Sequence, residues 1–190
     1  DEADTLREEE LEGRRCDPAS VRAAIGDLMS AKKLKDVDGF DCWQIVKKGR
    51  PSSYAASMRK PDRTFTGHRR TAHTEEVKKR FRQVPQGGVD QIGRHPKLSW
   101  KGQCPTIRAG TGSDRGSFQS VRPLHPDQPR VITAREAARI QGFPDWFLFH
   151  PTTWHSFRMI GNSVSPMISK SIFSLIRERL LPEASRIAAE

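Results

Sequence analysis

Cysteine is scarce in this sequence: among 190 residues there are only Cys16, Cys42 and Cys104. Their spacing fits no zinc pattern and three make a poor disulfide framework, so they read as reduced thiols. No run of about 18 apolar residues is present, which argues against a membrane span. No charged-then-apolar leader opens the chain, so no secretory signal is expected, and the first residue, Asp1, points to a processed or trimmed chain. Aromatic residues make up 7% with a single tyrosine, which lacks the aromatic-rich signature expected of a generic RNA-binding protein. There is no internal repeat. A hydrophobic fraction of 35% and a mean hydropathy of −0.69 allow a core, but a small one, for one domain or one domain with a minor lobe.

What the chain holds in excess is positive charge. The formal net charge is +10 and the sequence pI is about 10. Residues 1–15 are acidic in character, whereas residues 40–82 carry twelve Lys or Arg against four Asp or Glu. So basic a segment is either a solvated face or the footprint of a polyanion, chiefly nucleic acid.

Local signals place several elements. Asp17-Pro18-Ala19-Ser20 opens a short helix, with Asp17 or Ser20 as cap and Pro18 in the first turn; Val21, Ile25 and Leu28 share a face. Residues 30–72 mix Gly39, Gly49, Pro51, Pro61 and Gly67 with many basic residues and read as loop. Thr74-Glu75-Glu76-Val77 starts a helix with acid against its positive end, running through Phe81 and stopping near Pro85. A short strand is expected at Thr106-Ile107, followed by a polar Gly110-Thr111-Gly112-Ser113 loop. Thr133-Ala-Arg-Glu136 matches a capping box, and that helix should stop at Gly142 before Pro144. Ser165-Pro166 starts the last helix, whose stripe Ile168, Ile172, Leu175, Ile176 and Leu180 reads as core.

Two segments go beyond local structure. Arg130-Val-Ile-Thr133-Ala-Arg135-Glu136-Ala-Ala-Arg139-Ile-Gln141-Gly142-Phe143-Pro144 and Phe157-Arg-Met-Ile-Gly161-Asn162-Ser163-Val164-Ser-Pro166 resemble, in order and separation, the last two motifs of DNA cytosine-5 methyltransferases. His73 to Phe81 with Pro85-Gln-Gly-Gly88 is similar to the variable recognition region of one branch, and Val21 to Leu28 to the segment leading into it. The pair Thr106-Ile107 resembles the Thr-Leu that marks the recognition region, and Ser165 departs from the proline common there. The resemblance covers most of residues 20–181.

The resemblance implies an α/β fold, the C-terminal part of an S-adenosylmethionine-dependent methyltransferase, with a small irregular β-rich target-recognition lobe. On that reading residues 1–16 are an acidic segment or linker and 17–39 a helix leading into the core. Residues 40–125 are the DNA-recognition region, 126–182 the C-terminal helices completing the core, and 183–190 a tail. Arg130, Arg135, Glu136 and Arg139 become scaffold residues packing recognition region against core, with a phosphate contact as a further role open to them. Asn162, Ser163 and Val164 line the S-adenosylmethionine pocket. Thr106, Arg108, Thr111, Ser113 and Arg115, with Arg69 and Arg70, contact double-stranded DNA. Arginine can bond two acceptors of guanine, and Ser or Thr several base edges or phosphates. Lys47, Lys48, Arg50, Arg69, Arg70, Lys78 and Lys79 suit phosphate.

The family reaction needs a thiolate, from a cysteine between proline and glutamine, to attack a flipped cytosine. None of the three cysteines has that context; Gln103-Cys104-Pro105 runs in the reverse order. The glycine-rich cofactor loop and the Glu-Asn-Val segment are also missing. The chain is therefore expected not to methylate alone. A catalytic half, on a second polypeptide or in a missing N-terminal region, would complete it, and without that half Ile168, Ile172 and Leu175 would be exposed. The competing reading is a stand-alone DNA-binding or regulatory module derived from the family. Either is expected in the cytoplasm or on the nucleoid (the nucleus in a eukaryote), and a restriction-modification setting suits the first.

Overall fold

The computed structural model describes residues 18–47, 49–109 and 121–180. Asp17, Lys48, Thr111, Ser113 and Arg115 lie outside the described residues. Ser20 accepts the Ala23 N–H at 3.2 Å and starts helix α1, Val21–Ile25, which tightens into a 3-10 turn over Gly26–Ser30. Pro18 precedes this cap and is not in the first turn. Val21, Ile25 and Leu28 are all buried, so the predicted face is the packed one.

Residues 30–72, read from the sequence as loop, hold the whole sheet. Strands β1 (Ala31–Lys33), β2 (Cys42–Ile45) and β3 (Thr64–Thr66) pair antiparallel in that order, with Lys32 opposite Gln44 and Trp43 opposite Phe65. Helix α2, Ser53–Met58, sits between β2 and β3 in the chain and is capped by Ser52. The glycines that suggested loop instead punctuate the strands: Gly39 and Gly67 take φ of +80°, which costs a residue without Cβ little. The expected strand at Thr106-Ile107 does not form. Ile107 is buried in the core, but the segment has no ladder partner among the described residues.

Helix α3, Glu75–Gln83, begins where Thr74 accepts the Val77 N–H. Its far end is closed by Lys97, whose buried ammonium donates to the carbonyls of Phe81 (3.2 Å) and Val84 (2.8 Å), a cation at the negative end of the helix. Helix α4, Ala134–Ile140, starts with the predicted capping box and ends at Gly142, φ +89°. There the Gly142 and Phe143 N–H groups donate back to Arg139 and Ala138, the paired bonds of a glycine-terminated helix. Helices α5 (Thr153–Gly161) and α6 (Pro166–Leu180) follow.

The main core joins α1, the sheet and α4 through Ile25, Leu28, Ile45, Phe65, Ala137 and Ala138, and extends to Phe157 and Ile160 of α5. A smaller cluster of Phe81, Val84, Leu124 and Val131 lies under α3. The stripe on α6 is not part of either. No residue of α6 is buried; Ile168 is 56% exposed, Ile172 50% and Leu180 76%. The 3.6-residue periodicity identified an apolar face, and that face has no partner within the described residues. Among these residues no helix is long and apolar enough to cross a membrane.

Candidate nucleic-acid interface and cofactor-facing turn

Four charged side chains of the first motif point inward. Glu136 lies in the first turn of α4, where it takes both N–H groups of Arg130 (2.8 and 2.7 Å) and the Thr133 N–H (2.7 Å). Burial pushes its carboxyl upward, but the Arg130 hydrogen bonds and charge outweigh this and hold it below the usual carboxylate range. Arg135 donates to the carbonyls of Thr66, Pro144 and Phe147, joining β3 to the segment after α4. Arg139 makes a two-pronged pair with Asp145 at 2.7 Å and reaches Asp27 and the Ala24 carbonyl of α1. Asp27 in turn pairs with Arg59 at 2.8 Å. All four side chains are consumed by contacts within the fold.

Around Glu136 stand two buried histidines. His68 Nδ1 lies 2.9 Å from the Thr133 hydroxyl, and His125 Nε2 lies 3.9 Å from Glu136. His125 Nδ1 accepts the N–H groups of Asp127 and Gln128, which leaves the ring proton on Nε2. The segment carrying Arg69 and Arg70 is therefore anchored at His68. It is tied again at His73, whose Nε2 accepts the Val131 N–H at 3.4 Å. Arg69 and Arg70 themselves are exposed, with Arg69 3.6 Å from Asp36.

The second motif forms the turn between α5 and α6. The Asn162 N–H closes α5 onto the Arg158 and Ile160 carbonyls. The Asn162 carboxamide is exposed and makes no hydrogen bond among the described residues. The Ser163 hydroxyl is committed inward, donating to Ile160 at 2.6 Å, and its carbonyl accepts from Gln141. Val164 is 65% exposed. An open carboxamide on a fixed turn suits the polar part of a ligand; the Ser163 oxygen retains only acceptor capacity.

Gly161 explains why this turn lies close to the segment that carries Arg108. A Cβ there would lie 2.6 Å from Ala109 Cα and 2.7 Å from the Arg108 carbonyl carbon, with the Ala109 nitrogen nearer still. The backbone of residues 108–109 thus runs directly against α5. Gly161→Ala is expected to destabilise the fold by about 1–3 kcal/mol, because backbone and not a flexible side chain must move. Urea denaturation of the variant checks this, and an unchanged midpoint would contradict the close approach.

Thr106 and Arg108 are exposed and line one groove of about 400 Å³ together with Arg94, Pro96, Pro105, Val121 and Pro123. Arg69 and Arg70 are not in this lining. Lys47 and Arg50 border a separate cleft of about 430 Å³ with Arg22 and Arg59. Lys78 is paired with Glu75 at 2.7 Å and Lys79 is exposed. Arg94 and Arg22, which the sequence did not single out, also line these clefts, and the Arg22 guanidinium stacks over Trp100 at 4.7 Å. Arg94 stands in Gly93-Arg94-His95-Pro96, a basic residue within a turn-forming string, and that was the available signal.

A cleft of about 850 Å³ lies between α1, α2 and the start of α6, with Val21, Tyr54, Ile140, Met167 and Ile168 in its walls. Asn162, Ser163 and Val164 do not line it. Cys104 does, and burial pushes its thiol up to about 12, which favours the protonated form at neutral pH.

The C-5 cytosine-specific DNA methylase family matches residues 18–178. Type II methyltransferase M.XorII of Xanthomonas oryzae pv. oryzae is 45% identical over 175 residues, covering 85% of this chain and 41% of that protein. DNA (cytosine-5)-methyltransferase 1 of Mus musculus is 43% identical over 97 residues, covering 51% of this chain and 6% of the other. A crystal structure described as a DNA modification methyltransferase encoded within a prophage (E. coli) superimposes with a TM-score of 0.65 at 34% identity, covering 86% of this chain and 49% of that one. The chain thus spans less than half the length of these relatives.

Proposed function

This chain belongs to the C-5 cytosine-specific DNA methylase family, and we propose that it is the family's C-terminal half: it supplies DNA recognition and one edge of the S-adenosylmethionine pocket, while the catalytic cysteine comes from a second polypeptide or a preceding region. The observation that carries this reading is the set of thiols. No cysteine stands between proline and glutamine, and Cys104 is held protonated. The bare apolar face of α6 and the adjoining 850 Å³ cleft are where a catalytic half would dock, since an exposed stripe of Ile168, Ile172 and Leu175 is costly in water.

Double-stranded DNA meets the groove of Thr106 and Arg108, with Arg69 and Arg70 as phosphate contacts. Thr111, Ser113 and Arg115 belong to the same segment of the chain and are assigned to the same task. The open carboxamide of Asn162 fits a contact to the amino-acid or ribose part of S-adenosylmethionine, with Ser163 and Val164 beside it. When bound, that group supplies the methyl transferred to cytosine C5. The chain's own part is to bind and orient: the arginines hold the duplex, and the Arg130–Glu136 and Arg139–Asp145 pairs fix the recognition elements against α4.

The test is transfer of labelled methyl groups to DNA by the purified chain, with and without a co-purifying chain that bears Pro-Cys-Gln. Activity only in the mixture is expected. In that mixture Asn162→Ala should raise the KM for S-adenosylmethionine about tenfold or more, the loss of one good polar contact, with the melting temperature unchanged. If no second chain is captured and the protein binds DNA alone as a soluble monomer, the stand-alone DNA-binding module is the better account.

A further inference from the structure

The groove that carries Thr106 and Arg108 has a third polar member, Arg94, supplied by a turn that the motifs do not include. Its backbone is in the left-handed region, φ +57°. A residue with a Cβ is strained there by roughly 1 kcal/mol. Arginine gains nothing from this conformation, whereas glycine would adopt it freely.

The turn is held from every side. Asp90, 1% exposed, accepts the Gly93 N–H through its side chain (2.7 Å) and the Arg94 N–H through its carbonyl (2.9 Å), and its own N–H donates to His95 (2.9 Å). Arg80 sits 2.9 Å from the Asp90 carboxylate. The His95 ring donates to the Arg122 carbonyl at 2.8 Å, pinning the turn to the opposite wall of the groove. Such bracing fixes where the Arg94 side chain leaves the backbone. The groove it enters has walls of Pro96, Pro105, Pro123 and Val121, so its sides are rigid and apolar, and among the described residues its charged lining is Arg94 and Arg108. Among the described residues neither Arg94 nor Arg108 meets a carboxylate.

Rigid apolar walls with two arginines and one hydroxyl match a base edge better than a bare phosphate. Arginine bonds O6 and N7 of guanine together, and apolar walls accept a thymine methyl. A phosphate would need no apolar walls. We infer that Arg94 is a base-reading residue of this chain, acting with Arg108 and Thr106 on a guanine-containing step in the major groove. This rests on the DNA reading given above.

The experiment selects duplexes from a randomised DNA library with the full chain, together with its catalytic half once one is in hand. Affinities for the best duplex and its single-base variants are then measured for wild type, Arg94→Gly and Arg94→Lys. Arg94→Gly removes the guanidinium but relieves the backbone, so a merely structural residue would show equal or better stability and unchanged binding. The expected result is equal or higher thermal stability, about tenfold weaker binding to the best duplex, and loss of preference at one guanine position, not restored by lysine. Binding within twofold of wild type overturns the inference. So does a uniform weakening on all duplexes with a shallower salt dependence, which marks a phosphate contact. If the folded wild type selects no sequence at all, the DNA reading itself falls and takes this one with it.

Discussion

Glu136→Gln is expected to lower the unfolding free energy by about 3–5 kcal/mol, the cost of breaking a buried ion pair on one side. Glu136 is 1% exposed and its partner Arg130 only 6%. The carboxylate receives two charged bonds from Arg130 and the Thr133 N–H, while its own N–H goes to the Thr133 hydroxyl at 3.2 Å. Glutamine has the same shape but turns one acceptor into a donor, and it faces a guanidinium whose remaining partners, the Gln128 side chain and the Val131 carbonyl, are neutral. The positive charge then stays buried without its partner. Replacing both members, Arg130→Met with Glu136→Gln, should recover part of the loss, because the uncompensated charge is removed. Urea denaturation of the two variants reads both effects. A cost below about 1 kcal/mol for the single change would place the pair among ordinary exposed ion pairs and contradict its burial.

Much of what surrounds this pair was legible because its signals are local. Thr133 and Glu136 are three residues apart, and the capping box they spell is the one that forms. Thr74 before two glutamates gave the start of α3, and Gly142 before Pro144 gave the end of α4. The family motifs were legible for the same reason, as ordered strings. The sheet was not, since strands of three or four residues carry too few alternations, and the glycines and lysines in and around them resemble loop. Pairing such as Trp43 with Phe65 is decided by packing far along the chain. The partners of Arg139 were hidden too: Asp145 is six residues away, but Asp27 is 112. For α6, periodicity showed that a face is apolar and could not say what covers it. The sequence did not point to Arg94 because the role proposed for it rests on a backbone angle and a groove wall, neither of which is written in residue type.

The acid side of the stability curve is the second large effect. His68 and His125 are 1% and 0% exposed, and burial, the dominant influence, lowers both from 6.5 to about 4. The carboxylate of Glu136 opposes that shift, and the Arg130 and Arg70 charges add to it; Asp41 near His68 and Asp127 near His125 oppose it more weakly. Because the folded values are depressed, the unfolded chain takes protons first. The stability held above pH 6.5 is lost as pH falls toward 4, and below that these two groups add no further loss. Each contributes about 3 kcal/mol across that window. Glu136, also depressed, keeps its contribution above the usual carboxylate value and loses it only at lower pH, as its folded value is passed. Acid sensitivity should therefore begin between about pH 6.5 and 5, before carboxylates ordinarily titrate. Urea midpoints taken from about pH 8 down to about pH 4.5 measure it, and His125→Asn, which retains an acceptor for the Asp127 and Gln128 N–H groups, should flatten the curve. Since His68 directly precedes Arg69 and Arg70, duplex binding should weaken over the same range as their anchor loosens. A midpoint constant from about pH 7 to about pH 5 would mean that the histidines are protonated in place or open to water, and the polar cluster around Glu136 would have to be rebuilt on that basis.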